Sequence, residues 1–154
     1  MFFTVRSRFG WLWGMVKSLF ENHFTSGKIV MSNIINRVIF VDDDTIQHMI
    51  NRKNLLRIKP DIELFFFENP FNALDWLQDN DADLLILDVN MPEMTGWNFL
   101  DLLKEKDIDI EVKMLTSSMD PSDIEMSLNY SMVSGFLVKP LKNEIMAEIL
   151  GILP

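Results

Sequence analysis

The chain has no cysteine among its 154 residues. That absence excludes a disulfide framework, a thiolate zinc site and a cysteine nucleophile together. Histidine is nearly as scarce. His23 and His48 are the whole supply, too few for a histidine-rich metal centre. Positive charge is short as well: 14 Lys and Arg face 23 Asp and Glu, a formal net charge of −9. A chain of that sign is a poor match for nucleic acid, whose phosphates are met by Lys and Arg. No apolar run approaches the roughly 20 residues of a membrane-spanning helix, and no segment is repeated or low in complexity. What is present fits one globular domain: 48% hydrophobic and 24% charged residues, in a length that buries one core but not two.

The average conceals a split. Residues 1–30 hold Arg6, Arg8, Lys17 and Lys28 against Glu21, a balance of +3, which leaves −12 for residues 31–154. The same thirty residues carry seven aromatics: Phe2, Phe3, Phe9, Trp11, Trp13, Phe20 and Phe24. The shift marks residues 1–33 as an N-terminal extension and residues 34–154 as the domain. The apolar stretch from Phe9 to Val16 is broken by Lys17, and no small-x-small cleavage site follows, so neither a span nor a signal peptide is expected. An interfacial amphipathic helix is one reading of the extension. The favoured reading is an unstructured tail, or a translated leader ahead of a start at Met31.

From Arg37 onward, short apolar runs alternate with helical patterns. Val38–Val41, Ile62–Phe67, Leu84–Leu87, Val112–Leu115 and Gly135–Val138 read as strands, the continuous runs suiting strands buried on both faces. Between them, Thr45–Ile58 carries Ile46, Met49, Ile50, Lys53 and Leu56 at helical spacing. Asn69-Pro70 and Asp120-Pro121 are cap-plus-proline helix starts. The second of these predicts a helix to about Ser131. Phe99, Leu100, Leu102 and Leu103 mark a third helix after Gly96, and the last runs from Lys142 to about Ile152. Five strand–helix repeats predict an α/β fold with a doubly wound parallel sheet and helices on both faces.

Ligands of such sheets bind outside the carboxyl ends of the strands. Strand one ends in Asp42, Asp43 and Asp44, strand three in Asp88, strand four in Thr116 and Ser117, strand five in Lys139. Clustered aspartates repel and lose hydration, so they need a partner. With no Cys or His set available, a hard ion with oxygen ligands fits, and Mg²⁺ is the natural choice. Mg²⁺ beside a lysine and a hydroxyl is equipment for phosphoryl transfer, and a carboxylate can itself be the nucleophile. The sheet position makes Asp88 the central carboxylate.

The stretches Val38–Asp44 (VIFVDDD), Leu84–Gly96 (LLILDVNMPEMTG), Met114–Ser118 (MLTSS) and Gly135–Leu141 (GFLVKPL) together resemble the receiver domain of two-component response regulators. The resemblance implies a flavodoxin-like (βα)5 sheet of strand order 2-1-3-4-5. It implies Asp88 as phosphoacceptor and Asp42 and Asp43 as the Mg²⁺-binding pair, with Asp43 the more direct ligand. Asn90 would offer its backbone carbonyl to the metal. Thr116 and Phe136 would be the switch residues, Lys139 would pair with a phosphoryl oxygen, and the Lys139–Pro140 bond would be cis. The implied partners are a sensor histidine kinase or a histidine phosphotransfer protein, then a protein target, with a homodimer possible. The implied protein is cytoplasmic and catalyses only its own phosphorylation and dephosphorylation.

Two departures stand out. The span from Thr116 to Lys139 is one residue longer than the family's commonest spacing, with the extra residue placed near Tyr130–Ser134. No output domain follows, which suggests a stand-alone receiver. Plainer roles are expected elsewhere: Asp44 as a helix N-cap, Gly96 as a backbone requirement, His48 as a surface side chain, Trp76 and Trp97 as packing residues, and Met119, Met126 and Met132 as gap-fillers. Two other functions compete. One is a Mg²⁺-dependent phosphatase of the haloacid-dehalogenase type, reading Asp42-Asp43-Asp44 as its D-x-D motif. Against it, Thr45-Ile46 replaces the usual Gly-Thr and no acidic pair follows Lys139. The other is an interaction module that is never phosphorylated.

Overall fold

Val38, Ile39, Phe40 and Val41 leave no polar side on which their strand could meet water, and all four are at most 1% exposed. They form β1 (Arg37–Val41), which sits inside a five-stranded sheet with β2 (Glu63–Phe67), β3 (Leu84–Asp88), β4 (Val112–Thr116) and β5 (Val133–Val138). The order is β2-β1-β3-β4-β5 and every pairing is parallel. The computed structural model describes residues 34–152. The readings made for residues 1–33 lie outside them.

The helices between the strands are α1 (Thr45–Ile58), α2 (Pro70–Asp79), α3 (Gly96–Glu105), α4 (Pro121–Ser127) and α5 (Asn143–Ile149). Alternate side chains of a strand point to opposite faces, and the two cores divide accordingly. Ile39, Val41, Leu85 and Leu87 meet Leu74 and Leu77 of α2 and Phe99, Leu100 and Leu103 of α3. Val38, Phe40, Leu84 and Ile86 meet Leu55 of α1 and Met146 of α5. Each such buried side chain stabilises the fold by about 1.5–3 kcal/mol. Doubly wound crossovers of this kind bring the carboxyl ends of β1, β3, β4 and β5 to one edge, as the alternating pattern predicts.

Helix starts follow the predicted chemistry. The Asn69 side chain accepts from Phe71 N–H at 2.8 Å with Pro70 at the first helical position. Asp120 accepts from Ser122 N–H at 2.9 Å, with Pro121 in the same place. Helix ends depart from expectation. α4 stops at Ser127, four residues short of Ser131, because the chain turns: Asn129 N–H donates to Met126 O and Tyr130 N–H to Ser127 O. α5 stops at Ile149 rather than Ile152. Gly151 takes φ +68°, its N–H reaches Glu148 O and Ile152 N–H reaches Ala147 O, the paired bonds of a Schellman ending. β5 starts at Val133, not Gly135. Val112 pairs with Val133 but Lys113 pairs with Gly135, so Ser134 is passed over as a one-residue bulge. The irregularity therefore falls in the strand, at the edge of the interval predicted for it.

Helix α1 overturns two expectations. Its regular apolar stripe faces out: Ile46 is 66% exposed and Met49 73%. The buried face is His48, Asn51 and Leu55 instead. His48 is thus an interior residue, set against the Phe66 ring at 5.0 Å between centroids. The methionines divide too. Met132 is buried in the core, while Met119 and Met126 lie exposed. Trp97 is buried and Trp76 packs on Phe65, as expected of packing residues.

Candidate functional site

β1 runs out of its apolar stretch at Asp42, and β3 at Asp88. Both carboxylates are buried, Asp42 1% and Asp88 5% exposed. Burial of two like charges side by side is costly unless a cation answers them. Lys139, following directly on β5, supplies it. Its Nζ lies 2.8 Å from Asp42 Oδ2 and 3.0 Å from Asp88 Oδ2. The backbone holds each carboxylate from the other side: Asp44 N–H donates to Asp42 Oδ1 at 3.0 Å, and Asn90 N–H donates to Asp88 Oδ1 at 3.1 Å. The loop to α5 begins with a cis Lys139–Pro140 bond, as the resemblance implied. Lys139 N–H is tied to Thr116 O at 2.8 Å, which anchors the lysine's strand to β4.

Electrostatics follow from that packing. Burial raises the Asp88 pKa, helped by the neighbouring Asp42; the Asn90 N–H and Lys139 pull it down without cancelling the rise. Burial works to lower the Lys139 pKa, but the hydrogen bonds and charges of Asp42 and Asp88 outweigh it and the net shift is upward. Burial likewise lowers the His48 pKa, against the pull of Asp42, Glu68 and Asp44.

Carboxylate oxygens of Asp42, Asp43 and Asp88 all lie within 4.8 Å of one another. Three acids cluster where one ammonium pairs with two of them, so the cluster keeps a surplus of negative charge. Asp42 Oδ2 is buried, with the Lys139 ammonium at 2.8 Å. A buried carboxylate oxygen, two further carboxylates and an all-oxygen donor set suit a small hard cation, whose octahedral shell spans about 4 Å. Mg²⁺ fits these residues. Asp44 takes no part. Its Oδ1 accepts from Ile46 and Gln47 N–H at 3.0 Å each, the N-cap expected of it.

The remaining predicted residues ring the cluster without joining it. Thr116 is buried, and its hydroxyl donates to Ser118 O at 2.8 Å, so it faces its own loop. Phe136 is half-buried, 6.4 Å between centroids from Trp97, which in turn lies 5.6 Å from Tyr130. Gly96 is required for space. A Cβ there would stand 2.6 Å from Asp88 O and 2.9 Å from Met114 Cε, so α3 can start this close to the site only on glycine.

The fold and this arrangement place the chain in a known class. It belongs to the response regulator receiver domain family, which matches residues 38–150. Among curated relatives, it is 30% identical over 107 residues to the cyclic di-GMP phosphodiesterase response regulator RpfG of Xanthomonas campestris, covering 68% of this chain and 28% of that protein. It is 29% identical over 121 residues to the nitrate/nitrite response regulator NarL of Escherichia coli K12, covering 78% and 56%. The chain thus spans between about a quarter and somewhat over half of the length of these relatives. Among solved structures, Vibrio cholerae chemotaxis protein CheY4 superposes with a TM-score of 0.63 at 27% identity, covering 77% of this chain and 99% of that one. A CheY-like receiver domain from Methanospirillum hungatei shares the fold at 20% identity with a TM-score of 0.65. Among the described residues, no helix is long and apolar enough to cross a membrane.

Proposed function

We propose that the protein is a phosphoacceptor switch. It takes a phosphoryl group from the phosphohistidine of a sensor histidine kinase or histidine phosphotransfer protein onto Asp88, in a Mg²⁺-dependent step, and so alters a protein-binding face. The single observation that carries this reading is Lys139 Nζ held between the buried Asp42 and Asp88 carboxylates, with Asp43 beside them.

An Asp88 carboxylate oxygen attacks phosphorus. The donor's N–P bond breaks as the new O–P bond forms, and the imidazole, protonated on its other ring nitrogen, leaves as the neutral base. Asp42, Asp43, Asp88 and the Asn90 carbonyl would hold Mg²⁺, which would supply positive charge to the site. Lys139, already at the site, pairs with a phosphoryl oxygen. The Thr116 hydroxyl exchanges its bond to Ser118 O for the new group, and Phe136 follows inward past Trp97. That is a shift between two packings of one face.

In this reading residues 34–154 are the receiver domain, and residues 1–33 are an extension outside it. The domain acts in the cytoplasm and turns over nothing but its own phosphoryl group. The phosphatase alternative required an acidic pair after Lys139. The acidic group found here draws its third carboxylate from Asp88 instead. Beryllofluoride with Mg²⁺ tests the switch by NMR. The Thr116 and Phe136 signals shift in the native chain and not in Asp88→Asn. A native spectrum that stays unchanged overturns the proposal.

A further inference from the structure

Two surfaces of the domain expose large apolar side chains. On α1 these are Ile46, Met49 and Ile50, and the same helix carries Arg52, Lys53 and Arg57. On α4 and just beyond it they are Ile124, Met126 and Leu128, the last 81% exposed, with Val138 exposed on the edge strand β5. This second surface is acidic. Asp120, Asp123 and Glu125 belong to it, and no Lys or Arg occurs between Lys113 and Lys139. α4 has no buried residue at all. A seven-residue helix that buries nothing gains little from its own hydrogen bonds, so its apolar side chains remain available to a partner.

The chain itself contains the complement. Residues 1–30 are +3 and hold seven aromatics. From this charge match we propose that residues 1–33 dock on the face formed by α4 and β5. Like charges on α1 repel the segment, whereas the acids of α4 attract it and its aromatics cover the apolar residues. Reach is ample. The described chain begins beside Ile35, which packs with Leu55, Met146 and Leu150. Three strand spacings, about 14 Å, separate β1 from β5, while 33 residues span about 50 Å even as a helix. Tethering supplies an effective concentration of about millimolar. An anionic membrane is the weaker candidate, because it would repel the −12 remainder of the chain at close range. Docking here goes beyond phosphoacceptance and does not depend on it.

Zero-length carbodiimide coupling of the full chain is the test. Each link is an amide formed between a lysine amine and a carboxylate with loss of water. The expected products join Lys17 or Lys28 to Asp120, Asp123 or Glu125. They form within single chains when labelled and unlabelled protein are mixed, and their yield falls several-fold in Trp11→Ala/Trp13→Ala. Hydrogen exchange of residues 119–128 rises several-fold in that same variant, whose substitutions lie outside the receiver fold. Links between chains, links to other acids, or exchange indifferent to the variant overturn the proposal. So does a segment that shows no such links alone but binds phosphatidylserine vesicles.

Discussion

Replacing Lys139 with methionine removes an ammonium in contact with two buried carboxylates and keeps most of the side chain's volume. The carboxylates of Asp42 and Asp88 are 1% and 7% exposed, at 2.8 and 3.0 Å from Nζ. At an effective dielectric constant of about 20, each contact is about 5–6 kcal/mol of attraction before desolvation. Desolvation cancels much of that, and removing one partner of a buried pair costs about 3–5 kcal/mol. The Lys139 side chain is 23% exposed, which places the loss near the lower end, about 3 kcal/mol. For a domain of this size that lowers Tm by roughly 10 °C. The pH dependence has a definite sign. The folded pKa of Lys139 is raised, so its contribution is full below the ordinary lysine value of about 10 and is lost as pH rises through the raised one. Without the ammonium, Asp88 loses a group that lowers its pKa, so Asp88 protonates more readily in the variant. The deficit of Lys139→Met is therefore largest at neutral pH and shrinks toward acid. Saturating Mg²⁺ returns about 2–3 kcal/mol at a hundredfold excess over its Kd. Thermal melts at neutral and acid pH, with and without Mg²⁺, check this. A deficit under about 1 kcal/mol, or one equal at both pH values, refutes the charge account, since an uncompensated buried charge costs several-fold more.

Gly96→Ala drives a Cβ against Asp88 O at 2.6 Å, a backbone atom that cannot swing away; denaturant titration registers a loss of about 1–3 kcal/mol. Asp44→Ala removes the cap of α1 and loses about 1 kcal/mol by the same measurement, while Mg²⁺ affinity stays within about twofold because Asp44 does not belong to the cluster. Asp107 sits at φ +55° after α3, where its N–H meets Lys104 O and Ile108 N–H meets Leu103 O. Glycine holds that left-handed position at lower strain, so Asp107→Gly raises stability by about 0.5–1 kcal/mol in thermal melts.

Much of this was legible beforehand because burial writes itself into composition. β1, β3 and β4 sit inside the sheet, so their runs are apolar on both faces save for Lys113, and the residue that ends each run stands at the carboxyl edge. Asp42, Asp88 and Thr116 could be read from that alone. Cap chemistry at Asn69-Pro70 and Asp120-Pro121 was equally local. What was missed depended on distant contacts. α1 is a helix whose apolar periodicity points to solvent, and nothing within Thr45–Ile58 says that Phe66 will pack against His48. The end of α4 is set by the turn that follows it and by Tyr130, whose hydroxyl donates to Asp101 Oδ1 at 3.0 Å and whose ring packs on Trp97. The bulge at Ser134 is a pairing between two strands and has no signature in either. Gly151 was a local signal that could have ended α5 correctly.

The central claim is that Asp88 accepts a phosphoryl group. Acetyl phosphate with Mg²⁺, followed by intact-mass measurement and peptide mapping, tests it directly. One phosphoryl group on the native chain, located at Asp88, absent from Asp88→Asn and absent when Mg²⁺ is chelated, is the predicted result. Undiminished labelling of Asp88→Asn would contradict it.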